Sequence, residues 1–168
     1  MIKTTDAMLG VDAAELPSFE HEPLTVLVAD DHPLFRGGIA RAIARHPMLR
    51  LVAEAQDGAQ AVELIDALEP DVAVLDHRMP AMTGVEVCAL MHAREEPPGT
   101  ALLLLSAFED GEIVAAAVGA GAAGYVGKTA SQAEICEAIE QVGRGGIAFT
   151  RRTTEGFNRA LRRRGRVA

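Results

Sequence analysis

Short apolar runs alternate with longer segments of helical period along most of the chain. Leu24 to Ala29 predicts a first strand. Asp30-Asp31-His32-Pro33 then supplies capping carboxylates and a proline suited to a first helical turn, opening a helix that runs to about Arg45, before Pro47. Met48 to Ala55 predicts the second strand, and Asp57-Gly58-Ala59-Gln60 opens a helix ending near Glu69-Pro70. Val72 to Leu75 is the third strand; Gly84 begins a helix to about Glu95, which Pro97-Pro98-Gly99 breaks. Leu102 to Leu105 makes the fourth strand, Asp110 to Ala120 a helix, and Tyr125-Val126-Gly127 a short fifth strand after the turn marked by Gly119, Gly121 and Gly124. Ser131 to Glu134 is a capping box, and Ile135, Ile139 and Val142 form the apolar face of a last helix ending at Gly143.

Strand and helix thus alternate, and the first, third and fourth strands are continuously apolar, as expected when helices cover both faces of a sheet. The fold class is α/β: a doubly wound, five-stranded parallel sheet, for which right-handed crossovers and a crevice beside the first strand favour the order 2-1-3-4-5. Residues 1–23 show no period and carry Asp6, Asp12, Glu15, Glu20 and Glu22 with prolines at 17 and 23, which predicts a mobile acidic leader. Residues 24–148 form the folded unit, and 149–168 an Arg-rich tail in which Phe157 and Leu161 permit a short amphipathic helix that Gly156 and Gly165 weaken.

Composition narrows the function. The 168 residues suffice for one domain, and with no Trp and one Tyr its core must be aliphatic. The first 150 residues hold 9 Lys or Arg against 23 Asp or Glu, a balance of −14, whereas 151–168 hold 7 Arg against one Glu, a balance of +6. The body should repel nucleic acid, and only the tail attracts it. No apolar run approaches the ~20 residues of a membrane span, and no signal peptide opens the chain, so a cytoplasmic protein without membrane attachment is expected. Cys88 and Cys136 lack metal or disulfide spacing and read as small apolar fillers.

Four apolar runs end on a reactive polar residue: Asp30-Asp31, Asp76, Ser106 and Lys128. In an open parallel sheet such residues converge in the crevice outside the strand ends. Two adjacent carboxylates and a third can hold a hard divalent cation such as Mg²⁺, which binds through one or two carboxylates plus phosphate. With repulsion so reduced, Asp76 can act as a nucleophile toward phosphorus; Lys128 can pair with phosphoryl oxygens and the Ser106 hydroxyl can hydrogen-bond one of them. Singly, each has a plainer reading: helix cap, solvated lysine, turn former.

The segments Val26-Leu27-Val28-Ala29-Asp30-Asp31-His32-Pro33-Leu34-Phe35-Arg36 and Gly121-Ala122-Ala123-Gly124-Tyr125-Val126-Gly127-Lys128 resemble the receiver domain of two-component response regulators, in the subfamily that usually carries a C-terminal LuxR-type helix-turn-helix. The resemblance covers about residues 24–148 and implies a flavodoxin-like fold. It further implies Asp30 and Asp31 as the acidic metal pair, Asp76 as phosphoacceptor, and Arg78 as the residue whose main-chain carbonyl completes a Mg²⁺ site. Ser106 matches the switch hydroxyl, Lys128 the phosphate-binding lysine, and Tyr125 the rotamer-switching aromatic. The implied function is a phospho-accepting signalling switch rather than an enzyme: a sensor histidine kinase donates the phosphoryl group, the surface of the fourth helix, fifth strand and fifth helix changes, and a homodimer on phosphorylation is possible.

Two departures stand out. Thr129 follows Lys128 where many receivers have proline, and the roughly sixty residues of a DNA-binding domain are not in this sequence, so no sequence-specific DNA binding is expected of it. A second reading is a transcription regulator truncated before its helix-turn-helix. A third is a Mg²⁺-dependent phosphatase with an aspartyl nucleophile, whose Asp-x-Asp spacing differs from the adjacent pair here. His77 reads as a rim residue pointing away from Asp76, Met79 and Met82 as loop packing, and Phe35 on the first helix as an apolar contact or part of the kinase-docking region, two roles the sequence does not separate.

Overall fold

The computed structural model describes residues 22–108 and 110–164; the expected acidic leader, apart from its last two residues, lies outside the described residues. Twelve elements follow in order: β1 (Leu24–Ala29), α1 (Pro33–Arg45), β2 (Leu49–Ala55), α2 (Gly58–Leu68), β3 (Val72–Asp76), α3 (Gly84–His92), β4 (Ala101–Ser106), α4 (Gly111–Gly119), β5 (Gly124–Gly127), α5 (Gln132–Gly143), β6 (Ala148–Phe149) and α6 (Arg151–Arg164). All strand pairs are parallel, and the sheet order is β2-β1-β3-β4-β5-β6. The five strands expected from the sequence take the expected order, and a sixth, two residues long, is added at the β5 edge.

Alternation along the strands divides the core into two layers. Leu27, Ala73, Leu75 and Leu104 pack with Ile65 of α2, Val87 and Met91 of α3 and Val114 of α4. Val26, Val28, Val74 and Leu103 pack on the other face with Ile39 and Ile43 of α1 and Ile135 and Ile139 of α5. These side chains are fully buried or within 1% of it, and each of the Val, Leu, Ile and Met side chains contributes about 1.5–3 kcal/mol through removal from water. The five residues of β3 are all buried, which places Asp76 at the end of the most enclosed strand.

Local chemistry explains where the reading of the sequence succeeds and where it needs correction. The Ser131 capping box forms, and a second one, Thr83 with Glu86, opens α3. Asp30 and Asp31 do not cap α1: its N-cap is His32, which makes no side-chain cap bond, while Pro33 occupies the first turn. Those carboxylates are thereby left for the crevice. Helix α3 stops at His92 rather than near Glu95. The tail forms a regular helix of 14 residues in spite of Gly156, because that glycine is buried against α4. None of the described helices is long and apolar enough to cross a membrane.

Candidate functional site

Strands β1, β3, β4 and β5 end side by side, with Asp76 in register with Leu105 and Ser106 with Gly127. Their C-terminal ends deliver Asp30, Asp76, Ser106 and Lys128 to one edge. Asp30 and Asp76 are buried, at 2% and 4% exposure, and the Lys128 ammonium bridges them, 2.6 Å from Asp30 Oδ2 and 3.2 Å from Asp76 Oδ1. Burial, and next the Asp30 charge, raise the Asp76 pKa above the ordinary carboxylate value, with the Lys128 charge and a backbone hydrogen bond from Arg78 opposing.

Side-chain atoms of Asp30, Asp31, His32 and Asp76 lie within 4.8 Å of one another. Asp31 Oδ1 is buried and accepts no hydrogen bond; the His32 Nδ1 stands 2.9 Å away without the alignment of one. A buried carboxylate oxygen without a donor is costly unless a cation supplies the missing partner. The hard-oxygen donor set around it suits Mg²⁺ or Ca²⁺ rather than a soft metal.

Ser106 is buried, and its Oγ accepts the Phe108 amide at 3.0 Å. Tyr125, fully buried, donates its hydroxyl to the Phe108 carbonyl at 2.6 Å. The two expected switch residues therefore hold the main chain of the same residue, Ser106 at its amide and Tyr125 at its carbonyl. Arg78 is exposed and its guanidinium lies 4.5 Å from the centroid of the Phe108 ring. Gly84 lets α3 begin against Asp76, since a Cβ there would stand 2.5 Å from the Asp76 carbonyl oxygen.

Three contributors have no signal in the sequence. Arg36 donates to the Asp30 carbonyl at 2.6 Å and to Glu54 at 3.0 Å, fixing the turn that carries the acids. Phe35 lies with its ring centroid 4.5 Å from the Lys128 ammonium, so it is a wall of the site rather than only an apolar contact. Phe108 joins Ser106 to Tyr125 through main-chain atoms, which any residue type but proline would supply. His77 is half-buried at the rim, its pKa lowered by burial and then by the Arg78 charge. Met79 is buried in the core and Met82 packs against it, as loop packing requires. Cys88 and Cys136 are both buried, as apolar fillers are, and burial pushes the Cys88 thiol up to about 12 and raises that of Cys136.

A 2-1-3-4-5 parallel sheet whose strand ends gather buried acids, a lysine, a hydroxyl and a tethered tyrosine has the architecture of a phospho-acceptor signalling domain. The chain belongs to the response regulator receiver domain family, whose sequence model matches residues 26–140. It is 45% identical over 124 residues to the probable transcriptional regulatory protein NarL of Mycobacterium tuberculosis, covering 74% of this chain and 56% of that protein. It is 33% identical to the nitrate/nitrite response regulator protein NarL of Escherichia coli, covering 84% and 64%. Among solved structures, the signal receiver domain of the M. tuberculosis NarL aligns with a TM-score of 0.71 at 44% identity, over 74% of this chain and 98% of that one. A LuxR-family two-component response regulator from Aurantimonas sp. SI85-9A1 aligns with 0.75 at 30%, over 83% and 99%. The chain is thus a receiver domain close to NarL-type, LuxR-family regulators, and it spans little more than half to two thirds of the length of those full-length relatives. Members of this family are generally signal transducers rather than enzymes.

Proposed function

We propose that residues 24–148 act as a cytoplasmic receiver whose Asp76 accepts a phosphoryl group from a sensor histidine kinase. The observation that carries this reading is the Asp76 carboxylate, buried at the end of β3 with the Lys128 ammonium 3.2 Å away. One Asp76 oxygen attacks phosphorus, the phosphorus–nitrogen bond of a phosphohistidine breaks, and the departing imidazole keeps that electron pair and takes a proton. Lys128 neutralises the incoming phosphoryl oxygens, and the Ser106 hydroxyl donates to one of them. Asp30, Asp31 and Asp76, with the main-chain carbonyl of Arg78, would hold Mg²⁺, which when bound would supply charge neutralisation for the transferring group. The Asp31 oxygen, buried without a hydrogen bond, supports that assignment.

Once modified, Asp76 carries a charge of about −2, and the Ser106 hydroxyl turns toward it. The Phe108 amide is then held less firmly, and Tyr125, bonded to the Phe108 carbonyl, repositions with it. The face formed by α4, β5 and α5 changes as a result, and a homodimer of modified chains is one output of that change.

The test is intact mass after incubation with Mg²⁺ and acetyl phosphate. The full chain gains one phosphoryl group, whereas Asp76→Asn and the chelated wild type gain none. Labelling of Asp76→Asn at the wild-type level would remove the basis of the reading.

A further inference from the structure

Helix α6 is fixed on α4 by an extensive contact, so close that a Cβ on Gly111 would stand 2.1 Å from the Gly156 carbonyl oxygen. Beside this contact lies an open cavity of about 600 Å³, lined by Val118, Ala122, Ile147, Phe149, Thr154 and Asn158, a volume within the range of ligand cavities. Its apolar walls are left to solvent, with Ile147 67% and Val118 36% exposed. Thr154, Asn158 and Arg162 recur at every fourth residue of α6, so the stripe that borders the cavity continues onto an arginine. Arg151 pairs with Glu155 at 3.2 Å, whereas the exposed Arg159 and Arg162 have no ion-pair partner among the described residues.

Charge and position point to one occupant. Residues 1–23 hold one Lys against five Asp or Glu, a balance of −4, and residues 24–150 hold 8 Lys or Arg against 18 Asp or Glu, a balance of −10. The folded body therefore repels this acidic leader, and residues 151–168, at +6, attract it. Every strand of the sheet is parallel, so Leu24 at the start of β1 lies at the same end as Ala122 and Ile147, which precede β5 and β6. Counted along the sheet order, β5 and β6 stand roughly 14 and 19 Å from β1 at ~4.8 Å per strand. From Leu24 back to Phe19 the chain spans up to about 17 Å, and back to Leu16 about 28 Å, at ~3.3–3.6 Å per residue. The exposed Glu22 and Pro23 leave that path open.

We propose that the leader of the same chain docks beside α6: Leu16 and Phe19 enter the cavity, and Glu15 and Glu20, which flank them, meet Arg159 and Arg162. Pro17 and Pro23 favour extended backbone at the residues before them, as a crossing of the sheet's edge requires. Docked there, the leader covers the exposed apolar walls and neutralises arginines that a polyanion would otherwise meet. It is a mask for the basic helix, and it acts whether or not Asp76 is modified.

The chain has no Trp, so Phe19→Trp in the full chain gives a single fluorescent reporter. Its emission is blue-shifted and shielded from acrylamide. Arg159→Glu with Arg162→Glu returns it to that of a solvent-exposed indole, and adding Glu15→Arg with Glu20→Arg restores the shielding. The signal is unchanged over roughly a tenfold dilution, as a contact within one chain requires. Deleting residues 1–21 from the otherwise wild-type chain speeds amide exchange over 151–164 at least about threefold. The same deletion tightens binding of a scrambled DNA duplex at low salt at least about tenfold. Protected amides in β3 and β4 report that each variant is folded. Exchange over 151–164 that the deletion leaves unchanged overturns the proposal whatever the reporter shows. A charge swap that restores nothing overturns it too, as does shielding lost on dilution, which assigns the cavity to the leader of a second copy. Equal duplex affinity with and without the leader overturns the masking.

Discussion

Removing the Lys128 charge leaves two buried carboxylates facing each other, and the consequence can be worked from the distances. At 2.6 and 3.2 Å, with an effective dielectric of about 20, each attraction is roughly 5–6 kcal/mol gross. Most of that is offset by the desolvation of the three groups. Breaking a buried pair by deleting one partner nets roughly 3–5 kcal/mol, and the 14% exposure of Lys128 places this case near about 3. For a chain of this size that is a fall in Tm of about 6–12 °C. Lys128→Met keeps the stem against Phe35 and removes only the charge, so it is the better variant than Lys128→Ala.

The assay is thermal unfolding at pH 7 in chelator, followed by titration with Mg²⁺. Lys128→Met melts lower in chelator and recovers much of the loss as the divalent cation takes over the neutralisation. The sign with pH is fixed by the Asp76 carboxyl, whose folded pKa already lies above its ordinary value of 3.8 and rises further without the lysine. Stability contributed by such a group is present below the unfolded pKa and is lost as pH rises through the folded pKa. The deficit of Lys128→Met therefore shrinks toward pH 4. A variant within about 1 kcal/mol of wild type in chelator at pH 7, or one that Mg²⁺ does not rescue, would refute the reasoning.

Other outcomes follow from the same geometry. Asp76→Asn removes the buried charge, so in chelator it melts above wild type at neutral pH, and the advantage disappears below about pH 3.8; a lower Tm at neutral pH would contradict the raised pKa. Ser106→Ala accepts the phosphoryl group but shows no change in amide exchange over 106–128, and an exchange response equal to wild type would remove Ser106 from the switch. Tyr125→Phe loses the hydroxyl bond to Phe108 and destabilises the chain by about 0.5–1.5 kcal/mol in denaturant titration, with the modified and unmodified forms becoming more alike. No sequence-specific binding of duplex DNA is expected of this 168-residue sequence; any affinity comes from its C-terminal arginines and falls with salt at a log–log slope of about −0.9 per phosphate contacted. More than about tenfold discrimination against a scrambled duplex at physiological salt would contradict that.

Strand order and crevice residues were legible because strand-ending polar residues and helix-breaking prolines are local signals. The short run before Asp76 is apolar at every position, and the proline at 80 ends any continuation. The contributions of Phe35 and Phe108 were not legible, since a ring beside a distant ammonium and a main-chain tether leave no mark on nearby residues. Strand β6 is too short to show a period. In α6 the propensity argument pointed the wrong way: Gly156 costs up to about 1 kcal/mol as an isolated helix residue, yet its missing side chain is what allows contact with Gly111. The adjacent acids misled in the same way, because a carboxylate before a proline is the usual sign of a cap, whereas here His32 holds that place.

The most direct measurement locates the modified atom. After treatment with Mg²⁺ and acetyl phosphate, borohydride reduces an aspartyl phosphate to homoserine, which peptide sequencing by mass can place. The account predicts homoserine at position 76 alone, in wild type and in Ser106→Ala, and nowhere in Asp76→Asn. Homoserine at position 30 or 31, or a phosphoryl group found instead on His32 or His77, would contradict it.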